Sequence, residues 1–323
     1  MKINILVTGG CGFIGSSFLD LLFDSKKFNI INIDKLTYAS NSDYSKIKKV
    51  NYEFIKGDIV NQNLIKNILK KYSPKYIFNF AAESHVDNSI YRPKKFLETN
   101  IFGTYSILKN IIDLGLKNKT KFVQISTDEV FGDRLNKLSS NEKSKYEPSS
   151  PYSASKAAAD HMVTSWSRTY GLKYLITYSA NNYGPRQHKE KFIPKVIQNC
   201  IGKKSIPIYG SGNQKRDWIF VQDNAKAILK IGTSSKINDK FNIPGSKAIS
   251  NLTLAKKICS IFDKRYNKNN FIHSSLIKHV IDRKGHDVLY SLCKKKFLKN
   301  FNIKPKLSFE KGLIKTIEHL PKN

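Results

Sequence analysis

Arginine is scarce in this chain. Its 56 basic residues are 49 Lys and only 7 Arg, set against 25 acidic residues, for a formal net charge of +31. A balance this basic raises nucleic acid, a membrane surface or an anionic substrate as partners. Base reading and bidentate phosphate recognition favour Arg, however, so its shortage argues against a specific nucleic-acid reader. With Asn also abundant, most of the excess reads as a Lys-rich surface. Cysteine is sparse too: Cys11, Cys200, Cys259 and Cys293 are scattered, with no CxxC pair and no His at metal-ligand spacing. That excludes a disulfide framework and a zinc site, so no metal is expected. Long apolar runs are missing as well. No window approaches the roughly 18 apolar residues of a membrane span. The apolar start MKINILVTGG meets glycines before it can form a signal-peptide core. A soluble, cytoplasmic protein with reduced thiols and no membrane partner is the expectation.

What is present fits about two domains: 323 residues, 40% of them apolar, with 19 Phe and 16 Tyr for a core. Short apolar runs at Ile3–Val7, Ile30–Ile33, Tyr52–Ile55, Tyr76–Phe80, Phe122–Ile125 and Tyr174–Ser179 read as buried strands. Between them lie helical patterns at Phe13–Phe23, Asn63–Lys71, Phe96–Leu114 and Ala154–Tyr170. This alternation predicts an α/β fold, a Rossmann-type doubly wound parallel sheet. After about Asn181 strands become shorter, with helices near Ile193–Ile201, Asp223–Gly232, Leu252–Phe262 and Phe309–His319. Residues 1–180 are therefore read as a dinucleotide-binding domain and 181–323 as a smaller, mixed α/β substrate-binding region. No Gly/Ser linker marks that boundary, so it is approximate and the chain can cross between the two. Arg265–Asn270 is Lys/Asn-rich and reads as a loop.

Gly9, Gly12 and Gly15 follow the first strand and open the first helix. Small residues there permit a tight turn and let helix N–H groups approach a pyrophosphate. Cys11, inside this loop, reads as a small residue that fits. The spacing GxxGxxG is weak alone, and a plain glycine turn would satisfy it. The second strand, ending at Asp34, strengthens it, because an acid at that offset can accept from an adenosine ribose and repels a 2′-phosphate. NAD+ is thus favoured over NADP.

Tyr152 and Lys156 stand four apart at the start of a helical run, on one face. A Tyr of pKa near 10 becomes a usable base only if a neighbouring cation stabilises its phenolate. Alone, the pair would pass as surface chemistry. It follows, though, the strand Phe122–Ile125, which runs into Ser126-Thr127-Asp128-Glu129. Ligands of such sheets bind beyond the carboxyl ends of the strands, which places these groups against a substrate. Two adjacent carboxyls suggest chemistry beyond oxidation. One can remove a carbon-bound proton acidified by a ketone, and the other, protonated, can donate to a leaving hydroxyl. Taken singly, either acid has a plain alternative as a helix cap.

These residues carry a resemblance. TGGCGFIGS, AAESHVDNSI (81–90), ETNIFGT (98–104), STDEVFGD (126–133), PYSASKAAAD (151–160), NNYGP (181–185), EKFIP (190–194), PIYGSGNQKRDWIFVQD (207–223) and DRKGHD (282–287) resemble the extended short-chain dehydrogenase/reductase superfamily. Within it they are most similar to the dTDP-glucose 4,6-dehydratase family, over nearly the whole chain. The glycine loop and YxxxK mark the superfamily, whereas Thr-Asp-Glu is the discriminating triplet.

The resemblance implies an NAD-dependent lyase acting on dTDP-glucose or UDP-glucose. Tyr152, supported by Lys156 and Thr127, takes the C4 hydroxyl proton while NAD+ accepts the C4 hydride. Glu129 then removes the C5 proton, Asp128 protonates the departing C6 hydroxyl, and hydride returns to C6. For the cofactor it implies Gly9, Gly12, Phe13, Ile14 and Gly15 at the pyrophosphate, and Asp34, Lys35, Asp58 and Ile59 at the adenosine. Ala81, Ala82, Ser84, Thr99, Tyr152, Lys156 and Asn182 fall toward the nicotinamide. For the nucleotide-hexose it implies Ser84, Thr127, Asn181, Lys191, Phe192, Tyr209, Arg216, Asn242, Arg283 and His286, and for assembly a homodimer. Three departures stand out. Phe131 replaces the family's usual Tyr, Arg186-Gln187-His188 follows NNYGP in an uncommon way, and Val288-Leu289 stand where the family often has another Arg. They leave the base, thymine or uracil, open. An epimerase or decarboxylase on the same scaffold would keep Tyr152 and Lys156 without needing both carboxyls. A catalytically idle, basic nucleic-acid-binding relative rests on the charge alone.

Overall fold

Apolar runs without polar alternation form strands buried on both faces, and the first half of the chain uses them in that way. The computed structural model describes residues 2–135, 138–246, 248–266, 270–283 and 285–319. Its strands are β1 (Ile3–Thr8), β2 (Phe28–Asp34), β3 (Tyr52–Lys56), β4 (Tyr76–Asn79), β5 (Lys121–Thr127) and β6 (Lys173–Ser179). They continue as β7 (Asn181–Tyr183), β8 (Ile206–Tyr209), β9 (Lys215–Phe220), β10 (Asp239–Ile243), β11 (Ala248–Ser250) and β12 (Ile277–Val280). Seven of them make one parallel sheet in the order β10-β6-β5-β4-β1-β2-β3. Every residue of β5 is buried. The chain moves outward in opposite directions from β1, which opens a crevice at the carboxyl ends of β1 and its neighbours. This is the doubly wound sheet that the alternation of patterns predicts.

The smaller region has its own core, with Ile193, Val196, Ile206, Ile208, Trp218, Leu254, Ile258 and Leu313 buried together. It contains the three-stranded sheet β11-β9-β7 and the pair β12-β8. The two regions interleave in sequence. The helix Val221–Thr233 packs on the helix Phe13–Phe23, β10 extends the large sheet beside β6, and Phe297 and Phe301 join the first core. A single cut after residue 180 therefore does not describe the partition.

Two local differences from the sequence reading have physical causes. The helix expected over Ala154–Tyr170 starts earlier, at Pro151. Ser150 accepts from the Ser153 amide while Ser153 reciprocates in a capping box, with Pro151 in the first turn. The expected helix Phe96–Leu114 is interrupted: a π-helical turn, Leu97–Phe102, precedes the regular helix Gly103–Asp113. A Cβ on Gly103 would fall 2.4 Å from Ile59 Cδ1, so the chain passes close to the β3 side here. Such turns recur at functional sites, and this one carries Thr99 and Asn100. In the Lys/Asn-rich stretch, Arg265 closes the helix Asn251–Arg265, and residues 267–269 lie outside the described residues.

Candidate active site

At the end of β1 the backbone turns through Gly9 at φ 68°, a region that L side chains rarely adopt. A Cβ there would sit 2.6 Å from the Ala81 nitrogen, and one on Gly15 would sit 2.3 Å from the Gly9 carbonyl oxygen. The helix Phe13–Phe23 begins at Gly12 with no side-chain cap, so its first amides are free to face an anion. Asp34, at the end of β2, fixes this geometry. Its Oδ2 accepts from the Cys11 amide at 2.9 Å, and its Oδ1 accepts from the Leu36 amide at 2.8 Å and Ser40 Oγ at 3.2 Å. Lys35 Nζ lies 2.6 Å from Asp58 Oδ2. Cys11 itself is buried, and burial pushes its thiol up to about 12. It is a spacer, as read.

One cleft runs from this loop across the ends of β1, β4, β5 and β6. It is lined by Gly9, Gly12, Phe13, Ile14, Gly15, Asp34, Lys35, Asp58, Ile59, Ala81, Ala82, Ser84, Thr99 and Asn182. Tyr152, Lys156, Thr127, Asp128 and Glu129 line the same cleft. A glycine cradle that a Cβ would fill, an uncapped helix start and an acid at the end of β2 fit a dinucleotide.

The reactive groups meet where β5 ends against the start of the helix Pro151–Tyr170. Tyr152 hydrogen-bonds with the Thr127 hydroxyl. Thr127 Oγ1 donates to Asp128 Oδ1 at 3.2 Å and accepts from the Glu129 amide at 3.3 Å. Lys156 Nζ donates to the Ile125 carbonyl at 2.6 Å. Burial and the adjacent Glu129 hold the Asp128 carboxyl well above the carboxylate range, and its buried Oδ2 has no hydrogen-bond partner among the described residues. Glu129 is also raised by burial, but Arg216, Lys191 and Arg283 all oppose that shift. Burial thus raises both neighbouring acids, but more cations oppose the rise at Glu129 than at Asp128, where Arg216 alone among the cations does so. Burial and Glu129 raise Tyr152, and burial lowers Lys156.

The second region brings Lys191 to the cleft, whereas Phe192, Tyr209, Arg216, Arg283 and His286, expected at the substrate, lie outside its lining. Lys191, at the start of the helix Phe192–Ile201, donates to the Ser84 carbonyl at 2.7 Å, and Phe192 follows it, packed against the second core. Asn181 lines the cleft beside Asn182. Beyond them the Arg283 guanidinium lies 3.3 Å from Asp87 Oδ1, and His286 Nδ1 lies 2.7 Å from Asp282 Oδ1. Tyr209 meets the His286 ring edge-on, with centroids 6.1 Å apart. Arg216 is buried over the Tyr290 ring and donates to the carbonyls of Lys215 and Asp287 at 2.9 and 2.8 Å. Asn242 departs from expectation. On β10 it is fully buried and donates to the Ser140 and Cys293 carbonyls at 2.8 and 3.3 Å. It braces two chain segments and is not among the cleft residues.

Several cleft residues escaped the sequence reading. Ser179, Ala180 and Gly57 lie at or just past strand ends, where the carboxyl-end rule could have found them. Gln187, His188 and Glu190 carry no such signal. They arrive through a loop tethered to the first domain, where Arg186 reaches Asp20 Oδ2 at 2.6 Å and Ser17 Oγ at 3.2 Å. This is the structural role of the uncommon Arg186-Gln187-His188 continuation.

A family model described as GDP-mannose 4,6 dehydratase matches residues 6–316. The dTDP-glucose 4,6-dehydratase of Haemophilus influenzae is 44% identical over 329 residues, covering 98% of this chain and 97% of that protein. The chain belongs to the dTDP-glucose 4,6-dehydratase family. Solved family structures agree. The enzyme from Bacillus anthracis, in complex with NAD, is 36% identical with a TM-score of 0.87, covering 98% of this chain and 96% of that one. The enzyme from Streptomyces venezuelae, with NAD bound, is 35% identical with a TM-score of 0.89 and the same coverage. The family that the motifs resemble is thus the family to which the chain belongs. Among the described residues no cluster of His, Cys, Asp or Glu could hold a metal, and no helix is long and apolar enough to cross a membrane.

Proposed function

We propose that this chain converts dTDP-glucose to its 4-keto-6-deoxy product by oxidation at C4, loss of water across C5–C6 and reduction at C6. One observation carries the reading: Tyr152, Asp128 and Glu129 converge on a dinucleotide-shaped cleft, where burial raises both adjacent acids and holds Asp128 well above its ordinary range. An epimerase needs the tyrosine but not that pair. NAD+, held by the glycine loop, Asp34 and the residues around them, supplies the hydride acceptor and donor. Tyr152 takes the C4 hydroxyl proton, with Thr127 bonding the same hydroxyl and the Lys156 ammonium stabilising the phenolate. Glu129, whose burial-raised carboxyl Arg216, Lys191 and Arg283 draw back toward the anion, removes the proton from C5 once C4 is a ketone. Asp128, kept neutral by burial, donates its proton to the departing C6 hydroxyl.

Lys191, Arg216 and Arg283 are the cations for the diphosphate, with Tyr209 and His286 toward the nucleotide. Where the family often has another Arg, the Val288-Leu289 segment is anchored through its backbone. The Val288 and Leu289 amides donate to Asp133 at 2.7 and 3.1 Å. The relatives' activity favours thymidine over uridine for the base. A homodimer is supported by Leu97 and Phe102, exposed beside the Tyr105–Trp166–Tyr170 aromatic row on two sheet-flanking helices. Cytoplasmic location is supported by free thiols, with Cys200 and Cys259 Sγ atoms 3.9 Å apart and unbridged.

Incubation with dTDP-glucose and with UDP-glucose, followed by assay of the 4-keto-6-deoxy product, tests the reading. Product from dTDP-glucose, with the higher kcat/KM, is expected. Product from neither would remove it.

A further inference from the structure

Asp160 has no part in the steps above, yet it is fully buried one helical turn beyond Lys156, so the two share a helix face. Both grip the end of β5. Lys156 holds the Ile125 carbonyl, and Ser126 Oγ donates to Asp160 Oδ2 at 2.6 Å. Those residues immediately precede Thr127-Asp128-Glu129. Tyr146 donates to the same Asp160 oxygen at 3.4 Å and is itself hydrogen-bonded to Tyr178 of β6. From β10, Lys240 Nζ lies 5.3 Å from the centre of the Tyr146 ring, and His161 packs on that ring at 5.0 Å. Asp160 Oδ1 is buried without a hydrogen-bond partner among the described residues. A buried carboxylate with an open oxygen beside a buried ammonium is costly unless each charge stabilises the other.

We propose that Asp160 is a positioning residue: the buried counter-charge that keeps Lys156 an ammonium, so that Lys156 can stabilise the Tyr152 phenolate. The inference rests on the dehydratase reading. Burial pushes Lys156 below its ordinary range, and Asp160 opposes that shift. Burial raises Asp160 in turn, to about 6, with Lys156, Ser126, Lys240 and Tyr146 acting against it. At neutral pH the Asp160 carboxyl is therefore mostly an anion, the charge that opposes the effect of burial on Lys156. Removing the carboxylate lowers the Lys156 pKa further, so the ammonium discharges at a lower pH on the alkaline side. On the acid side Lys156 stays charged with or without its partner. The Asp160 charge also raises Tyr152, so its loss there does no harm to the phenolate.

The test is the pH profile of kcat for Asp160→Asn on dTDP-glucose, beside the wild type. The alkaline limb of the variant should move down by ~1 pH unit or more, while the two profiles converge at acid pH. Asp160→Glu should restore the wild-type limb. A loss equal at every pH, or an unmoved alkaline limb, would overturn the proposal. If Asp160→Asn fails to fold, Asp160→Ser is smaller, can still pair with Ser126 and must show the same displacement. Absence of product from the wild type would instead remove the dehydratase reading, so the two failures are distinct.

Discussion

The two walls of the cleft are built by different means. The cofactor wall uses backbone: a glycine turn, a helix start and strand ends, locked by one carboxylate, Asp34. The proposed sugar-nucleotide wall draws on long side chains from distant segments, and the Arg283–Asp87 pair beyond the cleft spans 196 positions. The charge divides in the same way. Residues 1–180 carry 26 basic and 16 acidic groups, and residues 181–323 carry 30 and 9. The net values are +10 and +21, so most of the excess lies in the later part of the chain, which supplies Lys191, Arg216 and Arg283 but also β10 of the large sheet. Lys191, Arg216 and Arg283 face the reactive acids, and the other lysines are too many for one diphosphate. A backbone-built wall tolerates little change in shape, whereas a side-chain-built wall is tuned residue by residue.

The sharpest way to separate the walls is Glu129→Gln. Proton abstraction at C5 fails while C4 oxidation survives, so kcat should fall by ~10²–10⁴-fold. Reduced nicotinamide should accumulate, visible by its near-ultraviolet absorbance, and normal turnover would contradict the role of Glu129. Next, Arg216→Ala should raise KM for dTDP-glucose by ~10–100-fold, the worth of a charged hydrogen bond, with bound NAD retained. Unchanged KM would place the diphosphate elsewhere. Gly15→Ala breaks the other wall. Its Cβ would meet the Gly9 carbonyl oxygen at 2.3 Å, costing about 1–3 kcal/mol of strain and lowering NAD retention through gel filtration. Smallest is Asn242→Ala, which leaves the Ser140 and Cys293 carbonyls without this donor. It should cost about 1 kcal/mol of stability, read by thermal denaturation, with KM unchanged. A raised KM would return Asn242 to the substrate wall.

Sequence legibility follows the same division. Gly9, Gly12, Gly15, Asp34, Tyr152 and Lys156 lie at short, fixed offsets from elements whose hydrophobic period is plain, so spacing alone located them. The triplet Thr127-Asp128-Glu129 was legible because it ends a fully buried strand. Asp87 and Glu190 were not legible, since only tertiary pairing and the Arg186–Asp20 tether deliver them. Asn242, expected at the nucleotide-sugar from the resemblance, donates to the Ser140 and Cys293 carbonyls, and no spacing rule encodes that brace. The return of β10 to the large sheet likewise depends on strand pairing with β6, which no local pattern encodes.

The central claim is that one cleft oxidises C4, eliminates water across C5–C6 and reduces C6 without exchanging its hydride. Turnover of dTDP-glucose deuterated at C4, with the product's label located by NMR, tests it most directly. Deuterium recovered at C6 is the predicted result. Deuterium lost to solvent or retained at C4 would contradict the account.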